Sequence, residues 1–150
     1  LFLGHYLPWD GYENAVIAKK NGFRFFEKRV EGSLVEYENL DNYQTGIHDY
    51  FKFLKFGFGR VTDIACLYVR RKRITREKAK EYIIKYDGKF PNTYLNKPLK
   101  EILEPIDVSM SDFINCCDKF TNKSLFKKDE NGNLLKDADG SLTKITYDNI

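Results

Sequence analysis

Gly46-Ile47-His48-Asp49-Tyr50-Phe51-Lys52-Phe53-Leu54-Lys55-Phe56-Gly57-Phe58-Gly59-Arg60-Val61-Thr62-Asp63 is the stretch from which the fold is read. Ile47, Tyr50, Phe51 and Leu54 recur at helical spacing, which predicts a helix over residues 46–56 that is apolar on more than one side. Two glycines alternating with two aromatics then break it, because glycine lets a backbone turn sharply or approach a neighbour closely. Val61, Ile64, Ala65 and Tyr68 set up the next helix, ending near Arg70-Arg71-Lys72-Arg73, where cations suit a helix C-terminus.

Outward from this stretch the pattern remains helical. Thr75 is placed to cap a helix whose buried face is Ala79, Tyr82, Ile83 and Tyr86 and which Asp87-Gly88 closes. Leu99, Ile102 and Leu103 mark a short helix stopped by Pro105. Ser109 and Asp112 have cap spacing ahead of an apolar stripe of Met110, Phe113, Ile114, Cys117 and Phe120, which makes Cys117 a core residue. On the N-terminal side, Asp10 and Glu13 precede a helix over 11–21, and Leu1-Phe2-Leu3 reads as a buried strand before it. Residues 23–44 lack sustained periodicity, apart from a short strand signal at Leu34-Val35. After Thr121 the chain is polar. Asn131-Gly132 and Asp139-Gly140 supply turn signals there, so a hairpin or a frayed tail fits. No internal repeat stands out.

Composition bounds the function. The 150 residues suit one domain, and 42% hydrophobic and 31% charged residues exclude a disordered chain. Aromatics reach 15%, ten Tyr and twelve Phe, so large rings should dominate the packing. Apolar runs are far too short for a membrane helix. Cys66, Cys116 and Cys117 do not form a disulfide framework, which points to a reducing cytoplasm. Net charge is only +3, concentrated in residues 60–80.

Several self-contained catalytic motifs are missing. There is no GxxxxGK[ST] phosphate loop, and Thr62 stands where a dinucleotide fingerprint needs its third glycine. With His5 and His48 as the only histidines and no CxxC pair, a zinc site lacks ligands. Asp137-Ala138-Asp139-Gly140 lacks the flanking residues of a calcium loop. No metal site is expected within this chain. The remaining constellation is the opening stretch itself: His48, Lys52 and Lys55 share a helix face and could point together at an anion. Arg60 follows with a planar fork for phosphate or carboxylate, and Asp63 could orient it or accept sugar hydroxyls. The same pattern also fits a core helix whose cations snorkel.

Phe56-Gly57-Phe58-Gly59-Arg60-Val61-Thr62-Asp63, then Ile74-Thr75-Arg76-Glu77, then Lys85-Tyr86-Asp87-Gly88-Lys89-Phe90-Pro91 resembles the C-terminal part of the N-acetyl sugar amidotransferases of bacterial surface-glycan pathways. Gly4-His5-Tyr6-Leu7-Pro8-Trp9-Asp10 looks like that family's entry into the region, and the resemblance covers roughly residues 1–126. It implies an enzyme related to the PP-loop ATP pyrophosphatases, with an α/β nucleotide-binding fold. Such an enzyme would use ATP with Mg2+ to activate the oxygen of a sugar acetamido group. Ammonia from a separate glutaminase would then leave an acetamidino group, in lipopolysaccharide or O-antigen biosynthesis. The substrate would be an N-acetylated sugar or nucleotide sugar.

The family's SGGxDS phosphate loop and N-terminal cysteine cluster are expected upstream of Leu1, and the chain is accordingly expected to be a fragment that is inactive alone. Within it, residues 1–45 are expected to end the nucleotide-binding α/β domain, 46–120 to form a helical C-terminal region, and 121–150 a polar tail or hairpin. The fragment itself should be mostly α-helical, with one or two strands at its N-terminus. Lys55 and Arg60 are the expected catalytic contacts to pyrophosphate or developing negative charge, with His48, Asp63 and Lys52 binding substrate. The alternative is a noncatalytic helical module whose basic patch at 70–80 contacts nucleic acid or protein. Low net charge and the lack of interleaved aromatics make nucleic acid the poorer partner.

Overall fold

Six α-helices and a two-stranded antiparallel sheet make up the regular structure of the computed structural model, which describes residues 2–145. In chain order the helices are α1 (Gly11–Lys20), α2 (Thr45–Phe56), α3 (Arg60–Arg70), α4 (Arg76–Tyr86), α5 (Leu99–Leu103) and α6 (Met110–Phe120). Strands β1 (Thr93–Tyr94) and β2 (Lys97–Pro98) form a tight hairpin between α4 and α5, with Tyr94 opposite Lys97. No helix among the described residues is long and apolar enough to cross a membrane.

The caps form where the sequence places them. Asp10 accepts the Tyr12 and Glu13 N–H groups, Thr75 accepts from Lys78, and Ser109 accepts from Asp112. Each satisfies an amide that the first helical turn leaves without a partner. At the C-terminus of α2, Gly57 adopts φ +74°, the left-handed turn that glycine takes without steric cost.

The core gathers around α2. Tyr50, Phe53 and Leu54 pack with Leu99 and Leu103 of α5, Phe113 and Cys117 of α6, and Phe126 and Leu142 from the C-terminal segment. Phe53 and Phe126 are 5.4 Å apart by ring centroid, and Phe90 sets its edge against both Tyr50 and Phe113. Burial pushes the Cys117 thiol up to about 12, so it behaves as a small core hydrophobe. A second cluster joins Val30, Tyr94 and Ile102 and ties the irregular segment after α1 to the β-hairpin.

Two expectations are corrected. Leu1 lies outside the described residues, but Phe2 and Leu3 are exposed and Leu3–His5 is a 3-10 turn rather than a strand. No strand forms at Leu34-Val35 either. The Val35 carbonyl accepts from Val30 and the Ser33 hydroxyl accepts from the Val35 N–H, closing a compact loop. Of the two alternatives for the segment after residue 120, residues 121–145 take the hairpin-like one. The segment contains two successive turns eight residues apart, Asp129-Glu130-Asn131-Gly132-Asn133-Leu134 and Asp137-Ala138-Asp139-Gly140-Ser141-Leu142. In each the first Asp N–H donates to the fifth residue's carbonyl at 2.9 Å, and bridges pair Lys128 with Leu134 and Lys136 with Leu142. This short repeat delivers Leu142 to the core.

Candidate functional site

A cleft of about 150 Å³ opens where three segments meet: residues 29–32, the start of α2 with the start of α3, and the loop leaving α4. Glycines shape its walls. A Cβ on Gly46 would come within 2.5 Å of the Tyr94 ring, so the α2 backbone lies directly against that tyrosine. Gly88, at φ +66°, packs onto the Phe53 ring so closely that a Cβ would fall within 2.1 Å of it.

Arg60, the first residue of α3, reaches across to Asp49 of α2. Nε donates to Oδ2 at 2.5 Å and Nη2 to Oδ1 at 3.0 Å, a two-pronged pair of the kind that fixes guanidinium orientation. Glu38 stands 3.9 Å from Nη1. Burial works against the Arg60 charge, yet the Asp49 hydrogen bond and carboxylate outweigh it and raise its pKa. The Asp49 side chain is 10% exposed, so this is a largely desolvated pair with an edge open to the cleft.

Asp87 stands beside this pair. Its Oδ2 accepts the Gly59 N–H at 2.9 Å and the Thr62 hydroxyl at 2.6 Å, while Oδ1 is buried without a hydrogen-bond partner. Burial is the main reason that its carboxyl is raised above the usual range. The Thr62 and Gly59 hydrogen bonds pull the other way, the Asp63 charge adds to the rise and the Lys144 charge opposes it. The remaining walls are aromatic or already engaged. Arg29 lies over the Tyr86 ring at 3.9 Å and donates to the Ser33 carbonyl at 2.6 Å, and both Glu31 oxygens accept, from Thr93 and Leu95. Burial pushes the Tyr94 hydroxyl up to about 12, so it is a neutral donor, here to the Asn39 carbonyl.

Of the five side chains singled out in the sequence, Arg60 alone lines the cleft. His48 is exposed and sits beside Asp49, with Nδ1 3.2 Å from Oδ1. Lys52 and Asp63 form an ion pair across α2 and α3, with Lys52 4.8 Å from the centre of the Phe58 ring. Lys55 turns towards Phe120 of α6, 5.5 Å from its ring centre. Lys52 and Lys55 therefore turn away from Arg60, while His48 meets the carboxylate that Arg60 holds. Asp49 and Asp87, which do meet there, are not among the residues singled out in the sequence. The Asp87-Gly88 pair gave a signal, since it stands within the run that carried the resemblance, but its partner Gly59 is twenty-eight positions away.

The basic run at 70–80 is partly consumed inside the molecule. Asp10 takes both Arg73 Nη1 and Nη2, at 3.0 and 2.7 Å, and lies 2.8 Å from Arg71 Nη1, while Arg71 Nη2 also donates to the Trp9 carbonyl. These contacts dock α1 onto the α3–α4 turn and leave less cation for an outside phosphate. Among the described residues no group of three or more His, Cys, Asp and Glu side chains could hold a metal ion.

The fold and site define a helical domain with a cleft built on a carboxylate–arginine pair, and comparison with known families says which one. The family model of the C-terminal domain of WbpG-like LPS biosynthesis proteins matches residues 24–138. The match takes in every lining residue of the cleft and most of the chain, so the chain belongs to this family. Among curated proteins, none matches the chain.

Proposed function

We propose that this domain forms the sugar-binding side of an ATP-dependent amidotransferase, which exchanges the oxygen of a sugar N-acetyl group for NH during lipopolysaccharide biosynthesis in the cytoplasm. One observation carries the reading: in a domain of an LPS-biosynthesis family, a cleft lined by tyrosine and phenylalanine side chains holds an arginine already neutralised by a buried carboxylate. Such a lining suits an uncharged polar ring better than a bare phosphate. Its free edges offer both donors and acceptors to hydroxyl and acetamido groups, and aromatic faces cover the apolar face of a sugar.

In this reading Arg60 and Asp49 orient the acetamido sugar, and the cleft walls exclude water from it. ATP with Mg2+ is the co-substrate that makes the amide oxygen a leaving group, which it otherwise is not. The described residues carry no phosphate loop and no metal cluster, and the cleft arginines are engaged, so no triphosphate contact is assigned to this chain. The PP-loop fold belongs in this proposal to another part of the protein, and ammonia comes from a glutaminase partner. Lys55, lying outside the cleft, receives no contact to substrate.

Turnover tests the proposal. Supplied with ATP, ammonium and an acetamido sugar or its nucleotide derivative, the whole protein should sustain AMP and pyrophosphate formation over many turnovers only when both sugar and ammonium are present. Mass spectrometry should find the acetyl oxygen replaced by NH. AMP formation that ignores the sugar, or a sugar product lacking nitrogen, would sink the reading.

A further inference from the structure

α3 begins without a cap of its own, because Gly59 at its N-terminus has no side chain to offer. The missing acceptor comes from the end of α4: Asp87 Oδ2 takes the Gly59 N–H and the Thr62 hydroxyl together. A carboxylate in this place satisfies an otherwise unpaired donor and lies at the favourable end of the helix dipole. The backbone of Gly59, at φ −116°, is open to any residue, so conformational freedom does not explain the glycine. Space does: a Cβ there would stand 2.5 Å from Asp87 Oδ1. A side chain at position 59 would therefore have to displace the Asp87 carboxyl group.

Arg60 follows Gly59 and precedes Thr62 by two positions, so Asp87 grips the backbone on one side of Arg60 and a side chain on the other. Gly88 in turn seats Asp87 by packing against Phe53 of the core. We propose that Asp87 is a positioning residue for Arg60: a cap supplied from α4 that fixes the start of α3 and so holds the Arg60 guanidinium on Asp49 at the cleft. The functional consequence rests on the reading of the cleft as a sugar site, whereas the positioning itself does not. One oxygen does all the accepting, so an amide oxygen can replace it, and the charge of Asp87 is not what the arrangement needs.

The Arg60 Nε–H resonance of the 15N-labelled full chain, assigned by its loss in Arg60→Lys, reads the positioning directly without substrate. It should be shifted and slow to exchange in the wild type and in Asp87→Asn. In Asp87→Ala, and in Gly59→Ala where the new methyl displaces the carboxyl, exchange should accelerate roughly tenfold or more while the amides of α5 and α6 keep their positions. Thr62→Val removes one donor at nearly constant volume and covers an Asp87→Ala chain that fails to fold; it too should speed the exchange. An unchanged Arg60 Nε–H in any folded Asp87→Ala, Gly59→Ala or Thr62→Val chain overturns the proposal, and so does its loss in Asp87→Asn. Failure of the amidotransferase reading would leave these spectra as they are.

Discussion

Arg60 and Asp49 show what a residue type can and cannot reveal before the fold is known. An arginine after a glycine break is a readable candidate, because its fork suits few other tasks so well. Asp49 is not readable, since a carboxylate on a mixed helix face has no mark that distinguishes a solvated residue from one that is 10% exposed. Removing one partner of such a pair strands the other in a desolvated place. Arg60→Ala should therefore cost roughly 2 kcal/mol in urea unfolding, below the full buried-pair figure because the arginine is a quarter exposed. Arg60→Ala combined with Asp49→Leu should recover part of that loss. Asp87 makes a prediction of opposite flavour. Its raised carboxyl means that the folded state holds this proton more tightly than the unfolded chain. The stability it gives is complete below the unfolded pKa and is lost as pH climbs through the folded one. Asp87→Asn does not titrate, so urea melts at about pH 4 and about pH 7 should show the variant gaining on the wild type as pH rises. A constant difference between the two chains would contradict the burial argument.

At the scale of the element, helices were legible and their meetings were not. Apolar spacing and the Asp10, Thr75 and Ser109 caps locate α1, α4 and α6 to within a residue or so, because both signals are local. The β1–β2 hairpin gave no such signal. Its turn residues Leu95 and Asn96 both take positive φ without a glycine, and Tyr94 holds its place through Val30 and Ile102 from elsewhere in the chain. The strand expected at the N-terminus failed for a related reason: two apolar side chains suggest burial only if something covers them. α1 is held to the α3–α4 turn by Asp10, Arg71 and Arg73 and to α3 by the edge of Tyr12 on Tyr68, while Ala15 is its one buried residue. Asp10→Ala removes both its cap and its dock. Hydrogen exchange should then speed up across Gly11–Lys20 while α2 and α6 stay protected, and a uniform acceleration would mean that α1 belongs to the main cooperative unit.

Across the whole molecule, one core holds the two ends of the described chain segment from α2 onward. Phe126 is fully buried against Phe53, and Leu142 reaches the same cluster, so the polar-looking segment after residue 120 is a structural wall. Its polarity in sequence was real but incomplete, because the repeated Asp-to-Gly turns hide two core residues among lysines. Phe126→Ala should cost about 3–5 kcal/mol in denaturant unfolding, as a large aromatic removed from a close-packed site does. A loss under 1 kcal/mol would mean that the segment packs only loosely. That wall carries no lining of the Arg60 cleft, which leaves the cleft's chemistry to α2, α3 and the loops after α1 and α4. The claim that this cleft takes an acetamido sugar is tested most directly by titrating the 15N-labelled protein with N-acetylglucosamine and its uridine diphosphate derivative. Shifts confined to residues 29–32, 46–50, 59–60 and 86–94, and abolished by Arg60→Ala, are the predicted result. Shifts gathered along residues 70–80 instead, or none at saturating sugar, would contradict it.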